Sequence, residues 1–550
     1  MQAVQELAAY AKNHGLFRAA SACDVTCSLL SLMFPCGSCC AGSVAGSSSR
    51  FQFLRKVSTV ELFISHSSKC PSWQKLLALC HYLNLDLAIF SSFFACILGA
   101  IFWVLRAGSL SAVAQEPQSL LSGSLYWWPM LAFVMTFFCG HLLSNKLFWF
   151  DRLCIDQENL LRRCQTLKAV PAFVAHSERM IILLDETYFS RLWCVYELAV
   201  HSKTGSATAE LIPMWMPLWT IFFISLSLMA CLGDSGPAIP LPHLNTESIT
   251  SLLESVFKTN LFPPAMYLLY AVPASGFCFQ KIKRHKRMLD QMAEFQLGNA
   301  KCTLETDRRV IEEQVLSLFD EALEPPVSIA FGTEEAEAED DMGGSETLLA
   351  PEAPETIREI RHITSYPTND QIIDQFNAYV RGPLRDSVIR SMGKEDYLSF
   401  RLCTVAGLPW ILWNVPYLLG CGADCRQSAS SDGFSTVSQY FVFDVIYYFY
   451  ISPLNMFLEF PTMLIACRWV TDLVEHSGLR LFLGTGLCIV VMYFGDCFLL
   501  LQCGVLAVAV TDFSPLWLAA AVVSVILDLG LLWFLFFRKQ LHPGQRTLVR

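Results

Sequence analysis

Long apolar runs without lysine or arginine constrain this chain more than any other feature of its sequence. A bilayer core about 30 Å thick needs about 20 consecutive apolar residues to be crossed by one helix. Scanning for such runs predicts eight transmembrane helices, at residues 87–105, 126–144, 211–233, 261–279, 402–420, 437–467, 481–510 and 514–537. Breaks at Pro453 or near Gly495 would change this count. The chain is therefore predicted to be a multi-pass membrane protein, with the lipid bilayer as its first partner.

Composition excludes two broad classes of protein. Hydrophobic residues make up 53% of the chain and charged residues 16%, against about 25% charged residues in soluble proteins. A water-soluble multidomain enzyme is therefore disfavoured. The net charge of -10 also argues against a nucleic-acid partner, because nucleic-acid-binding proteins present basic faces.

Basic residues predict the orientation of the chain, since cytoplasmic flanks of membrane helices are enriched in lysine and arginine. With both termini in the cytosol, only three of the 39 basic residues lie outside: Arg106, Lys258 and Arg426. A basic cluster over 281–287 then follows the fourth helix on the inner side. In an outer loop, Cys421 and Cys425 are candidates for a local disulfide. The sequence does not indicate which membrane holds the protein.

The remaining segments complete the predicted domain organisation. Residues 1–50 are predicted to be a disordered, cysteine-rich segment that opens with an amphipathic helix near residues 1–20, and zinc binding or acylation of its cysteines are alternatives. The segment 280–401 is predicted to be cytosolic, with helical stretches at 300–323 and 369–392 around an acidic linker at 332–358. The other predicted divisions are a transmembrane hairpin at 87–144, transmembrane helices three and four at 211–279, helices five to eight at 402–537, and a cytosolic tail at 538–550.

Two cytosolic blocks, 51–86 and 145–214, are predicted to build one domain, because the hairpin between them returns the chain to the same side of the membrane. Short apolar strands are predicted at Val60–Ile64 (VELFI), Leu147–Phe150 (LFWF) and Met180–Leu184 (MIILL). Helical patterns follow each strand. This β-α-β-α-β-α order indicates a parallel sheet with right-handed crossovers, in which MIILL is covered on both faces.

Two phrases in these blocks resemble the Toll/interleukin-receptor (TIR) domain family, in its plant and bacterial branch. They are Phe63-Ile64-Ser65-His66 at the end of the first strand and SRLWCVYEL over 190–198 on a later helix. Residues 150–157 take the place of the family's BB loop, and residues 210–214 look like the start of its fourth strand. The resemblance covers about 100 residues, at 57–86 and 146–214.

The predicted fold class is therefore α/β plus all-α membrane. It combines an incomplete, flavodoxin-like TIR sheet in the cytosol with about eight transmembrane helices. The sheet is predicted to be incomplete because the third apolar run begins at Leu211, where further strands of a TIR domain are expected.

The resemblance implies two functions for the domain. TIR domains associate with one another, so the first expectation is a signalling or self-association module held at the membrane. Many TIR domains hydrolyse NAD, and the position that inherits their catalytic carboxylate is Glu197. Candidate substrate-binding residues are then Ser65, His66, Asp151 and Trp193. NAD would be a substrate, and no cofactor or metal is implied.

Acidic residues within the last apolar runs suggest a third function. Asp444, Asp496 and Asp528 are costly to bury in lipid unless each has a partner or water. They are candidates to line an ion or proton path in a channel or transporter. Alternatively, each lies near the end of a membrane helix or bonds to Ser, Thr or Tyr on a neighbouring helix, and nearby tyrosines at 447, 448 and 450 offer such partners.

Overall fold

The computed structural model describes most of the chain. The described residues are 2–33, 51–233, 252–256, 264–302, 308–316, 329–330, 369–420 and 425–537, apart from positions 53, 115, 117, 157, 205–207, 255, 310 and 313–315. They divide into a first unit of Met1–Leu83, His141–Met216 and Arg284–Met392 and a second unit of Asn84–Gly140, Pro217–Lys283 and Gly393–Arg550. The acidic linker at 332–358, the tail at 538–550 and most of the helix predicted at 300–323 lie outside the described residues.

A sheet organises the first unit. Within the described residues its strands are β1 (Arg18–Ser21), β2 (Arg55–Lys56), β3 (Val60–His66), β4 (Leu147–Phe150), β5 (Ser177–Leu184), β6 (Thr208–Pro213) and β7 (Ile329–Ala330). Across the sheet they are ordered β2-β1-β4-β3-β5-β6-β7. Strands β3 to β7 pair in parallel, whereas β1 is antiparallel to both β4 and β2. Six strands therefore make a mostly parallel sheet, and β2 extends its edge.

The two separated blocks of sequence meet in the middle of this sheet, as predicted. Strands β3 and β5 are parallel neighbours, with Phe63 opposite Met180 and Ile64 opposite Ile181. The MIILL segment of β5 is at most 2% exposed. Its apolar sequence thus fits a central strand that is covered on both faces.

The parallel part of the sheet is more complete than the sequence predicted. Counted by themselves, β3 to β7 lie in the order second, first, third, fourth, fifth, which is the flavodoxin-like arrangement. Strand β6 pairs with β5 from Arg179↔Thr208 to Leu184↔Pro213, and β7 pairs with β6. The prediction of an incomplete sheet is therefore wrong, because the chain returns to the sheet with Ile329–Ala330 after further helices.

The helices of the first unit connect and cover these strands. They are Gln2–Asn13, Ala22–Met33, the start of Ser72–Ala107, Asp151–Cys154, Leu160–Lys168, Val170–Ala175, Leu192–Thr204, Asn369–Tyr379 and Arg385–Met392, with a 3₁₀ turn at Tyr188–Ser190 and a π-helical turn at Val380–Leu384. The helices at Asn369–Tyr379 and Arg385–Met392 confirm the helical stretch predicted at 369–392.

The helix Gln2–Asn13 agrees with the helix predicted near residues 1–20, whereas the prediction of disorder is wrong for the other described residues, up to Met33. Helices Gln2–Asn13 and Ala22–Met33 flank β1, which pairs with β4. Phe17 is buried, and its ring packs edge-on against Phe173 at a centroid distance of 4.9 Å. This burial offsets the entropy of ordering the segment. Three of its cysteines, at 36, 39 and 40, lie outside the described residues.

The second unit is helical. Its helices are the rest of Ser72–Ala107, Leu110–Val113, Gln118–Ser122, Trp128–Cys139, Trp215–Gly233, the first part of Pro264–Ala293, Phe400–Ala406, Leu408–Leu419, Cys425–Ser431, Val437–Ile446, Ser452–Leu473, Ser477–Asp512 and Pro515–Leu532, with π-helical turns at Gly123–Trp127, Tyr447–Ile451 and Trp533–Phe537. Large apolar side chains such as Phe90, Leu105 and Phe482 are more than 60% exposed. Such surfaces fit contact with lipid.

The predicted count of eight membrane helices is too high for the described residues. By length and composition, five helices qualify, or six if a bent pair is one span: Ser72–Ala107, Leu120–Leu143, Val437–Leu473, Ser477–Asp512, Pro515–Phe536 and the pair Phe400–Ala406 with Leu408–Leu419, bent by 58°. The run at 211–233 begins as strand β6, so that only a shorter apolar helix at Trp215–Cys231 remains. Within the run predicted at 261–279, residues 264–279 lie in the helix Pro264–Ala293, which becomes basic from Lys281 onward.

Candidate functional site

Polar side chains gather at the carboxyl ends of the central parallel strands. Ser65 and His66 end β3, and Asp151 directly follows β4. Glu197 lies on the helix Leu192–Thr204, which follows β5. The chain passes outward from β3 to β4 and then back across to β5, so the strand order reverses beside β3. Doubly wound folds bind their ligands at this point.

Glu197 and Ser65 form the central contact of this site. Glu197 Oε2 and Ser65 Oγ share a hydrogen bond of 2.6 Å, although the two residues are 132 positions apart. Ser65 Oγ also lies 2.7 Å from the hydroxyl oxygen of Tyr188, and this hydroxyl lies 3.1 Å from the carbonyl oxygen of Cys194. The sequence predicted two of these residues as site residues and missed Tyr188.

Glu197 is held in a largely dry environment. Its side chain belongs to the buried polar groups, with 8% of the residue exposed, and Ser65 and Tyr188 are fully buried. Burial, together with a smaller effect of the charge of Asp151, raises the pKa of Glu197 to about 8, although a hydrogen bond that Ser65 donates to the ionised carboxylate offsets part of the increase. A helix-rim glutamate is usually solvated, and this one is not.

A second polar cluster adjoins the first. His66 Nε2 lies 3.0 Å from Asp151 Oδ1, and Lys75 Nζ lies 3.3 Å from His66 Nδ1. An ammonium group only donates, so His66 accepts from Lys75 at Nδ1 and donates to Asp151 from Nε2. The thiol of Cys194 donates to the carbonyl oxygen of His66 at 3.4 Å, which joins this cluster to the helix of Glu197.

Asp151 is the more accessible carboxylate of the site, with 43% of its side chain exposed. Burial acts to raise its pKa, but the charges and hydrogen bonds of His66, Lys75 and the backbone N–H of Arg152 outweigh that effect, and the pKa is lowered. The edge therefore holds two carboxyl groups with opposite pKa shifts. Paired carboxyl groups of this kind are typical of sites that carry an acid and an anion.

Trp193 is the predicted site residue with the least structural support. It is half-buried, and its ring lies edge-on to Tyr196 at a centroid distance of 5.9 Å. It precedes Glu197 by four residues, so the two side chains emerge on neighbouring positions one helical turn apart. Its role in stacking on a base or a nicotinamide ring stays a prediction.

Two residues that sequence reasoning missed complete the site. Lys75 is 6% exposed, although lysine is rarely buried, and the sequence placed it only on a helix after β3. Tyr188 is fully buried in the turn after β5. Lys75 follows β3 and Tyr188 follows β5, and the carboxyl ends of these strands were predicted to form the ligand site. Their positions after these strands were the only feature of the sequence that could have identified them.

The acidic residues of the membrane helices each have a polar neighbour in the second unit. Asp496 accepts a hydrogen bond of 2.7 Å from the hydroxyl of Tyr267. Asp528, which is fully buried, accepts two bonds of 2.8 Å from the side-chain amide of Gln502. Asp444 contacts the hydroxyl of Tyr440. The tyrosine partners of Asp496 and Asp444 are of the type that the sequence predicted, whereas Gln502 is not, and a role in transport stays a prediction.

A further acidic residue, Glu459, lies in the helix Ser452–Leu473 and interacts with Asp496. Sequence reasoning missed Glu459, although it lies in the apolar run at 437–467 together with Asp444.

Comparison with known proteins adds no relative. No known protein family matches this chain, and neither a curated protein nor a solved structure is detectably similar to it.

Proposed function

We propose that the first unit binds NAD at the carboxyl ends of its strands and hydrolyses the bond between nicotinamide and ribose. The observation that carries this proposal is the 2.6 Å contact between Glu197 and Ser65 beside β3, where the strand order reverses. The contact joins two phrases that resemble the TIR family. The resemblance implies a flavodoxin-like sheet. The order of the parallel strands, β4-β3-β5-β6-β7, is the order of such a sheet and so supports the resemblance.

The chemistry gives Glu197 a defined task. As the bond to nicotinamide breaks, positive charge develops on the ribose, and a carboxylate that accepts hydrogen bonds from the ribose hydroxyls stabilises it. A water oxygen then bonds to the ribose carbon, nicotinamide leaves with the bonding electron pair, and one proton of the water is released. Low exposure of Glu197 strengthens this electrostatic effect.

His66, Asp151 and Trp193 would bind the rest of the substrate. His66 is held between Asp151 and Lys75, so its ring orientation is restricted. The exposed part of Asp151 is free to accept hydrogen bonds from hydroxyl groups of a ligand.

An NAD-consumption assay tests this proposal on the full chain in lipid nanodiscs. Wild-type protein should release nicotinamide, and Glu197→Gln should lower the rate by at least about 100-fold, as expected when a transition-state electrostatic contact is lost. Glu178→Gln is the matched control, since Glu178 is exposed on β5. Activity should also rise as the pH approaches about 8, because only the ionised form of Glu197 is competent. Wild-type protein without activity across pH 6–9, or an active Glu197 variant, would contradict the proposal.

We also propose that copies of the protein associate through this unit for signalling at the membrane. Five candidate membrane helices would confine copies to one bilayer plane, which raises their effective concentration. The resemblance to TIR domains supplies the expectation of self-contact. Chemical cross-linking in native membranes should trap dimers or larger species, and a population that stays monomeric at all expression levels would contradict it.

The proposed orientation places the first unit and both termini in the cytosol. Disulfide usage supports it. Cys425 is disulfide-bonded, as is typical of an oxidising compartment, whereas its predicted partner Cys421 lies outside the described residues. In the first unit Cys164 is a free, exposed thiol and Cys194 a free, buried one, as in a reducing compartment.

A further inference from the structure

Three oxygen-to-oxygen contacts run in series from Glu197 into the protein. Glu197 Oε2 lies 2.6 Å from Ser65 Oγ, Ser65 Oγ lies 2.7 Å from Tyr188 Oη, and Tyr188 Oη lies 3.1 Å from the carbonyl oxygen of Cys194. All three separations lie at hydrogen-bond distance. Each contact therefore needs one proton, and the series ends on a carbonyl group that only accepts.

Counting protons decides the state of the carboxyl group. Ser65 and Tyr188 each bring one hydroxyl proton, so an ionised Glu197 leaves two protons for three contacts. Tyr188 then has to choose between Ser65 and the carbonyl group of Cys194. A neutral Glu197 supplies the third proton, and the donors then run in one direction, from Glu197 to Ser65, to Tyr188 and to the carbonyl group.

We propose that Tyr188 is a positioning residue that acts on Glu197 through Ser65: the series holds the carboxyl group neutral and donating, and its proton must leave to water before Glu197 can accept hydroxyl groups of a substrate. The catalytic consequence rests on the proposed function, whereas the storage of the proton does not. Loss of the proton reverses the series, so that Tyr188 donates to Ser65 and Ser65 donates to the carboxylate.

The charged surroundings agree with a stored proton. Among the described residues, the titratable groups that interact with Glu197 include Asp151 after β4, Tyr188 in the turn before its helix, and Cys194 and Tyr196 on the helix itself. Asp151 is an anion, and the other three are neutral in a buried setting. The bases of this edge, His66 and Lys75, are engaged with Asp151 and with each other.

Removal of the Tyr188 hydroxyl tests the proposal, because the proposal predicts the direction in which the titration midpoint of Glu197 changes. In Tyr188→Phe the neutral form of Glu197 loses two hydrogen bonds, from Ser65 to Tyr188 and from Tyr188 to the carbonyl group, whereas the ionised form loses one. The titration midpoint of Glu197 should therefore fall by about one pH unit, the worth of one net hydrogen bond. If Tyr188 instead supported an ionised carboxylate through Ser65, the same variant would raise the midpoint.

Infrared spectroscopy reads this midpoint without any enzymatic activity. The spectrum of Glu197→Gln is subtracted from that of the wild type, both as full-length protein in nanodiscs. The difference spectrum then contains the C=O stretch of protonated Glu197, and this band should disappear as the pH rises. Tyr188→Phe should shift that loss to lower pH, while the control Tyr10→Phe, which changes an exposed tyrosine outside the series, should leave the midpoint nearly unchanged. Tyr188 acts through Ser65, so Tyr188→Phe should have no further effect in a Ser65→Ala background.

The outcomes separate this inference from the proposed function. A band that shifts as described in protein that does not hydrolyse NAD supports the stored proton and refutes the enzyme. Absence of the band at pH 6.5, an upward shift in Tyr188→Phe, or an undiminished shift in the Ser65→Ala background would overturn the inference even in an active enzyme. Tyr188→Phe removes a single oxygen from a buried ring, and a cooperative unfolding transition with an unchanged circular dichroism spectrum verifies that it folds.

Discussion

The buried carboxyl group of Glu197 should make the stability of the first unit fall as the pH rises. Its pKa is raised from the ordinary 4.5 to about 8 in the folded protein. The folded state therefore keeps a proton that the unfolded chain releases between these two values. This contribution to the free energy of unfolding is complete below about pH 4.5 and is lost as the pH rises to about 8.

The magnitude follows from the width of that window. Each pH unit within it removes about 1.4 kcal/mol, so the window from 4.5 to about 8 corresponds to about 5 kcal/mol at most. Glu197→Gln carries a neutral amide of nearly the same shape at every pH and lacks this dependence. For a unit of this size, the difference in melting temperature between variant and wild type should change by on the order of 10 °C between pH 5 and pH 8.

Thermal unfolding followed by tryptophan fluorescence measures this difference in nanodiscs. Glu197→Gln should gain stability relative to wild type with rising pH, and Glu178→Gln, which changes an exposed residue, should track wild type throughout. A difference between Glu197→Gln and wild type that stays constant from pH 5 to pH 8.5 would refute the reasoning, because it would mean that Glu197 titrates alike in the folded and unfolded chains.

Further predictions concern the second unit and the orientation of the chain. Gln502→Leu should lower the melting temperature by the equivalent of about 2–3 kcal/mol, because the buried carboxyl group of Asp528 loses two hydrogen bonds; an unchanged value would contradict that pairing. Gly393→Ala should destabilise, since φ is +71° and a Cβ would lie 2.5 Å from an aromatic ring, whereas Gly478→Ala meets nothing within 4 Å and should fold normally. Cys164, an exposed thiol, should react with an impermeant maleimide only after cells are permeabilised; labelling of intact cells would place this unit outside.

Local patterns determined much of the architecture. The apolar runs required helices long enough for a membrane, and alternation of short apolar strands with helices required a parallel α/β sheet. The segments VELFI and MIILL became neighbours, as expected of two buried strands in one parallel sheet. Residues at the carboxyl ends of these strands, Ser65, His66 and Asp151, were predictable as a cluster because parallel strands end at one edge.

The number of membrane helices was not predictable from hydropathy alone. A run of apolar residues has the same hydropathy whether it crosses lipid or lies in a protein interior. The run at 211–233 was therefore counted as a membrane helix, although its first residues belong to strand β6. The short strands at Arg18–Ser21 and Ile329–Ala330 were missed for a related reason: each is stabilised by partners far away in the sequence, and its own residues carry a weak signal.

What the sequence determined by itself was therefore which segments are apolar, their periodicity and the ends of the strands. Only the tertiary structure decided that Glu197 is buried, that Ser65 and Tyr188 stand in series with it, and that Lys75 reaches His66. The physical reason is that periodicity reports the average environment of a helix face or a strand. Hydrogen bonds and pKa values depend on positions to within tenths of an ångström, and residues more than 100 positions apart set those positions together.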